Sequence, residues 1–129
     1  MILGVGADII EIKRMKESLK KEPRLLKRLF TPFELKQAGA LSESRKIAYY
    51  AKRFSAKEAI SKAFGSGIGK HISWLDIEIS NNKTGAPLVT LSPKATLFLQ
   101  KKFKIKRLHI YLSLSDEKKY ALAFSILTN

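Results

Sequence analysis

The amino-acid sequence predicts one α+β domain, residues 1–129, with an antiparallel sheet packed against a long helix and several shorter ones. Two patterns carry that expectation. Residues 45–64 keep a helical period in which Ile47, Ala51, Phe54 and Glu58 share one face, while Ala56, Ala59, Ile60 and Ala63 lie opposite. A helix that is apolar on both sides is usually buried between two layers or at a subunit contact. The second half of the chain instead alternates with period two over residues 74–80, 86–91, 108–115 and 120–126, as half-buried strands do. No repeat, linker or low-complexity stretch interrupts the chain.

Taken in order, residues 2–7 read as a short buried strand whose Gly4 and Gly6 let another backbone approach closely. Asp8 ends it, either as the N-cap of a helix starting at Ile9 or as an acidic ligand at a strand end. Gly4-Val5-Gly6 is not a dinucleotide fingerprint, since Ile9 stands where the third glycine belongs and no βαβ unit follows. A basic run follows, of Lys13, Arg14, Lys16, Lys20, Lys21, Arg24, Lys27 and Arg28, with Pro23 as a helix breaker. Its one-sided excess of positive charge suits a docking surface for an acidic partner. Thr31-Pro32-Phe33-Glu34 is a helix start, with Thr31 as cap and Glu34 returning to the cap amide. That helix reaches about Leu41, and a polar break at residues 42–44 precedes the long one. Gly65 suits a left-handed helix end.

The loop at residues 65–71 fails as a phosphate loop, because Phe64 stands five before Gly69 and His71 replaces the hydroxyl residue. Its glycines and amides suit the lining of a ligand site. Residues 74–80 and 86–91 form a hairpin about a turn at 81–85. Ser92-Pro93 caps a helix to about Phe103, and the two closing strands meet in a turn at 116–119.

Lys and Arg number 25 against 11 Asp and Glu, a net charge of +14. That excess predicts an anionic partner: nucleic acid, a membrane surface, an acidic protein or a phosphorylated small molecule. There is no cysteine, which excludes disulfides, thiolate metal sites and a Cys nucleophile. The two histidines, His71 and His109, lie in separate segments and argue against a zinc site or a Ser-His-Asp arrangement. The N-terminus does not resemble a signal peptide, and no stretch approaches the ~20 apolar residues of a membrane span. A cytoplasmic location is expected. A nucleic-acid-binding module is the competing class, but no recognised motif appears and aromatics do not interleave the basic run.

Glu58 and Lys62 stand four apart on one helical face. Because Glu58 continues an apolar stripe and an unpaired buried charge is costly, it needs a partner, either Lys62 or a metal ion.

Three stretches resemble a known family: ILGVGADIIEI (residues 2–12), LFTPFEL (29–35) and RFSAKEAISKAFGSGIG (53–69). With the strand after Trp74 and the closing LSLSDEKKYALA (112–123), they are similar, in order and spacing, to holo-[acyl-carrier-protein] synthases. These are the small bacterial class of 4′-phosphopantetheinyl transferases. The resemblance implies that fold, a homotrimer with active sites between subunits, and a role in fatty acid biosynthesis. It implies Mg²⁺-dependent transfer of the phosphopantetheine arm of coenzyme A to a serine of apo acyl carrier protein, releasing adenosine 3′,5′-bisphosphate. Asp8 and Glu58 would be the Mg²⁺ ligands and, with Lys62, the catalytic residues. Lys62 would contact the phosphates, with Gly65 beside it and Arg45 and Arg53 expected to meet the 3′-phosphate. Arg14, Lys13 and Arg24 would dock the acidic carrier. Asp116 stands where some members carry histidine. Whether Glu58 or a water on the metal accepts the serine proton stays open.

Overall fold

The computed structural model describes residues 1–129. The chain runs β1 (Ile2–Glu11), α1 (Ile12–Lys21), α2 (Leu25–Leu29), α3 (Pro32–Gly39), α4 (Glu43–Phe64), β2 (Ile77–Asn81), β3 (Pro87–Leu91), α5 (Pro93–Phe103), β4 (His109–Asp116) and β5 (Tyr120–Thr128). A short 3₁₀ turn, Trp74–Asp76, precedes β2. The strands form two antiparallel sheets, β1-β5-β4 and β2-β3, where one sheet was expected.

The contact between β1 and α4 organises the molecule, and two glycines permit it. A Cβ on Gly4 would collide with the carbonyl oxygen of Ala63, and one on Gly6 with that of Ala59. Without those Cβ atoms the strand lies directly on the helix backbone, as the paired glycines lead one to expect. One helical turn further back, the Ser55 hydroxyl donates to the carbonyl oxygen of Asp8 at 3.0 Å. Positions 4, 6 and 8 of the strand thus run along positions 63, 59 and 55 of the helix. On the neighbouring strand, Ser125 donates to the Ala59 carbonyl oxygen at 3.0 Å.

The sheet also corrects the expected role of Asp8. β1 continues to Glu11, and Asp8 pairs with Ala123 inside it. Asp8 is therefore neither a helix cap nor at a strand end. Trp74–Asp76 is a 3₁₀ turn and not the start of a strand.

Both apolar faces of α4 are covered within the chain. Ala56, Ala59, Ile60, Ala63 and Phe64 join β2, α5 and β5 in one core, while Tyr49, Tyr50 and Ala51 join the α1–α3 region in a second. The two-sided pattern therefore reflects burial between layers and not a subunit contact. The exposed apolar surface lies elsewhere: Val5, Ile9, Tyr111, Leu122 and Phe124 project from the outer face of β1-β5-β4. No helix is long and apolar enough to cross a membrane.

α3 begins as its sequence dictates. Thr31 and Glu34 form the capping box, but Glu34 is wholly buried and does more than cap. Its Oε1 accepts from the Thr31 amide (2.8 Å) and from Lys57 Nζ (2.7 Å), and its Oε2 accepts from the Ile79 amide (2.8 Å). Lys57, also fully buried, gives its other two protons to the carbonyl oxygens of Leu29 (2.7 Å) and Trp74 (3.1 Å). Every polar atom of this pair is satisfied, which allows two charges to sit in a dry interior.

Candidate active site

The β1–α4 contact brings three of the predicted residues together. Asp8 faces the helix from mid-strand, and Glu58 stands on α4 beside it. Both line a cleft of about 480 Å³ whose walls include Ile10, Met15, Leu29, Phe54 and Trp74. Phe54 and Trp74 stack at 5.0 Å, closing one side. Lys62 Nζ, half exposed, lies 3.4 Å from Asp8 Oδ1 and donates to the Ala7 carbonyl oxygen at 2.9 Å. The helical spacing offered Lys62 as a partner for Glu58. In the structure its ion pair is with Asp8.

Glu58 is consequently the under-compensated member of the trio. Burial pushes its carboxyl above the ordinary range, the neighbouring Asp8 charge pushes it further, and Lys62 only partly offsets them. Two carboxylates held together with one exposed lysine form a locus that favours a cation. No group of three or more His, Asp or Glu side chains gathers anywhere in the chain. Asp8 and Glu58 offer two carboxylates, a donor set of the kind that fits a hard cation whose remaining ligands are not side chains, as Mg²⁺ sites are.

The docking residues separate. Arg14 lines the cleft. Lys13 lies round the corner of α1 in a groove with Lys16, Lys118 and Lys119. Arg24, exposed, precedes α2. Arg28, read from the sequence only as part of the basic run, lines the cleft with Arg14. Its position four residues beyond Arg24, one turn along the same face, was the available signal.

Gly65 ends α4 in the left-handed conformation (φ 76°) as predicted. Lys102, which no sequence pattern singled out, donates to the Phe64 carbonyl oxygen at that helix end (2.6 Å). Arg45 and Arg53 do not reach the Asp8–Glu58 cleft of their own chain. They line a separate cleft of about 300 Å³ with Lys52, Asn81 and Asp116. Arg53 is buried there, its guanidinium 3.9 Å from the centre of the Tyr49 ring and donating to Asn81 Oδ1 at 2.6 Å; its Nε has no partner. Asp116 pairs with Lys52 at 3.3 Å.

Residues 4–125 match the model of the 4′-phosphopantetheinyl transferase superfamily. A holo-[acyl-carrier-protein] synthase of Ruthia magnifica is 48% identical over 128 residues, covering 98% of this chain and 97% of that one. This chain belongs to the holo-[acyl-carrier-protein] synthases. Among solved members of the family, the synthase of Neisseria meningitidis superposes with a TM-score of 0.88 at 35% identity, covering 100% of both chains. The Bacillus anthracis synthase, in complex with CoA (3′,5′-ADP), superposes with a TM-score of 0.83 at 38% identity, covering 98% of this chain and 96% of that one. The α+β architecture is thus that of the family, and the β1–α4 contact is the element of it that brings Asp8, Glu58 and Lys62 together.

Proposed function

We propose that this enzyme transfers the 4′-phosphopantetheine group of coenzyme A to a serine of apo acyl carrier protein, with Mg²⁺, releasing adenosine 3′,5′-bisphosphate. The reading rests chiefly on one observation: Asp8 and Glu58 meet in a cleft that Arg14 and Arg28 also line, with Lys62 paired to Asp8. In the reaction the serine oxygen forms a bond to the phosphorus bearing pantetheine, and the bridging bond to the adenosine side breaks. The serine loses its proton. Mg²⁺ held by Asp8 and Glu58 would supply neutralisation of charge on the pyrophosphate. Lys62 reaches the same phosphates from the open side, its ammonium half exposed. Glu58, or water held beside it in the cleft, would take the serine proton. Arg14 and Arg28, with Lys13 and Arg24 beyond the rim, hold an acidic carrier so that its serine enters the cleft.

The assembly follows from the same reading. Val5, Ile9, Leu122 and Phe124 form an apolar face of a kind that marks contacts between molecules, which supports the homotrimer implied by the family. With active sites between subunits, one chain's Arg45–Arg53 cleft would serve the 3′-phosphate of the coenzyme A bound at its neighbour's Asp8. Such an enzyme acts on soluble substrates in fatty acid biosynthesis, in the cytoplasm.

Intact mass of apo acyl carrier protein, after incubation with the protein, coenzyme A and Mg²⁺, tests the activity. The expected result is a gain of one phosphopantetheinyl group, lost with EDTA and with Glu58→Ala. An unchanged mass with several apo carriers would overturn the proposal. Mixing Glu58→Gln chains with Arg45→Glu chains tests the shared site: each is inactive alone, and mixed trimers regain part of the activity.

A further inference from the structure

We propose that the buried Lys57–Glu34 pair is a positioning device for the Asp8–Glu58 cleft, and that Lys57 is a positioning residue of the transfer reaction. The inference rests on the transferase reading above.

Lys57 precedes Glu58 on α4 but points into the opposite, dry side of the helix. Two of the three atoms that its ammonium grips are main-chain oxygens of cleft residues, Leu29 and Trp74. The third belongs to the Glu34 carboxylate, whose Oε1 also holds the start of α3 and whose Oε2 holds the Ile79 amide of β2. One side chain thus sets the distance between the helical turn that carries Glu58 and two wall segments contributed from residues 29 and 74. The Trp74 ring lies on Phe54, one helical turn before Glu58. The wall is therefore fixed to α4 from both sides, by the ammonium through its carbonyl and by the ring stack.

Stability alone does not call for this arrangement. A buried ion pair gains little over apolar residues of the same size, and replacing both members is often neutral or stabilising. What apolar residues would not supply is direction. A lysine with three fixed acceptors holds Leu29 and Trp74 in one placement, while a packed methionine tolerates sliding. The reacting groups must hold a near-attack geometry, so a small shift of the wall lowers turnover without abolishing binding.

The test is the double variant Lys57→Met with Glu34→Gln, which removes both charges and keeps their volumes. Trp74 is the only tryptophan in the chain, so its fluorescence reports the wall directly and needs no activity. The double variant is expected to fold, with wild-type circular dichroism, but to show red-shifted Trp74 emission and stronger acrylamide quenching. Its kcat is expected to fall about 10²-fold, as for an ångström-scale misplacement, with KM for coenzyme A changed less than about twofold. A folded double variant with wild-type kcat and unchanged Trp74 fluorescence would overturn the proposal and leave the pair a purely structural one. If the double variant does not fold, Trp74→Phe and Lys57→Arg replace it: a wild-type kcat in Lys57→Arg, whose bulkier head cannot reproduce the three bonds, overturns the proposal. Absence of transfer by the wild-type protein would instead overturn the transferase reading, and the fluorescence comparison would still decide whether Lys57 holds the wall.

Discussion

Lys57 and Glu58 are adjacent in the chain and opposite in circumstance. Lys57 is fully buried, and each of its three protons has an acceptor within 3.1 Å. Glu58 is half buried beside another carboxylate, and the nearby lysine is committed to Asp8. The first arrangement is saturated, so nothing more binds there and its value is rigidity. The second is unsaturated, and its excess negative charge is available to a cation and to a proton. A single residue step along α4 separates a fastening from a reactive site, and what distinguishes them is whether the polar groups are already satisfied.

Four substitutions probe that contrast. The largest effect is expected from Lys57→Met alone, which strands the Glu34 carboxylate in the interior; breaking a buried pair costs about 3–5 kcal/mol, read as a fall in the urea midpoint. Glu58→Gln should lower kcat by roughly 10²–10³-fold, the scale of removing a preorganised charge from a reaction centre. The same variant should melt higher than wild type without divalent cations. A carboxyl whose proton affinity is raised by folding binds more protons in the native state, so wild-type stability declines as pH rises through its titration. Glu58→Gln removes that decline, and the gap between the two melting curves should widen from acid to neutral pH. Gly6→Ala forces β1 off Ala59 and should cost about 1–3 kcal/mol by overpacking, with part of the activity lost because Asp8 moves with the strand. The smallest effect is expected from Arg28→Glu. It should raise KM for the carrier protein severalfold at low salt and less at high salt, as a screened surface charge does, with kcat retained.

Much of the reactive half was legible in the sequence. Helical spacing put Glu58 and Lys62 on one face, the glycines announced a close backbone contact, and the Thr31–Glu34 capping box was readable from four residues. The course of β1 was not. Its outer face carries Val5 and Ile9 and its inner face Ile10, so apolar residues fall on both sides and the alternation past Asp8 imitates a helix. The fastening half was hidden for a different reason. Lys57 is held by residues 29, 34 and 74, and no local period connects positions that far apart. A lysine next to a candidate catalytic glutamate reads as another surface charge until the fold surrounds it. Arg53 was placed only in part, since its position on α4 suggested a phosphate contact, while its burial against Tyr49 sets it in a cleft apart from Asp8 and Glu58 of the same chain.

The separation in sequence of the Lys57 contacts has a kinetic consequence. The ammonium gains nothing from giving up water until residues 29, 34 and 74 have all arrived, and each arrival closes a loop of the chain. The pair is therefore expected to dehydrate late, after the folding barrier, as interactions of high sequence separation and high desolvation cost do. Bonds made after the barrier must be broken before it is reached from the native side, so they slow unfolding and leave the folding rate nearly unchanged. On that account the pair acts as a clasp: it lengthens the lifetime of a molecule already folded.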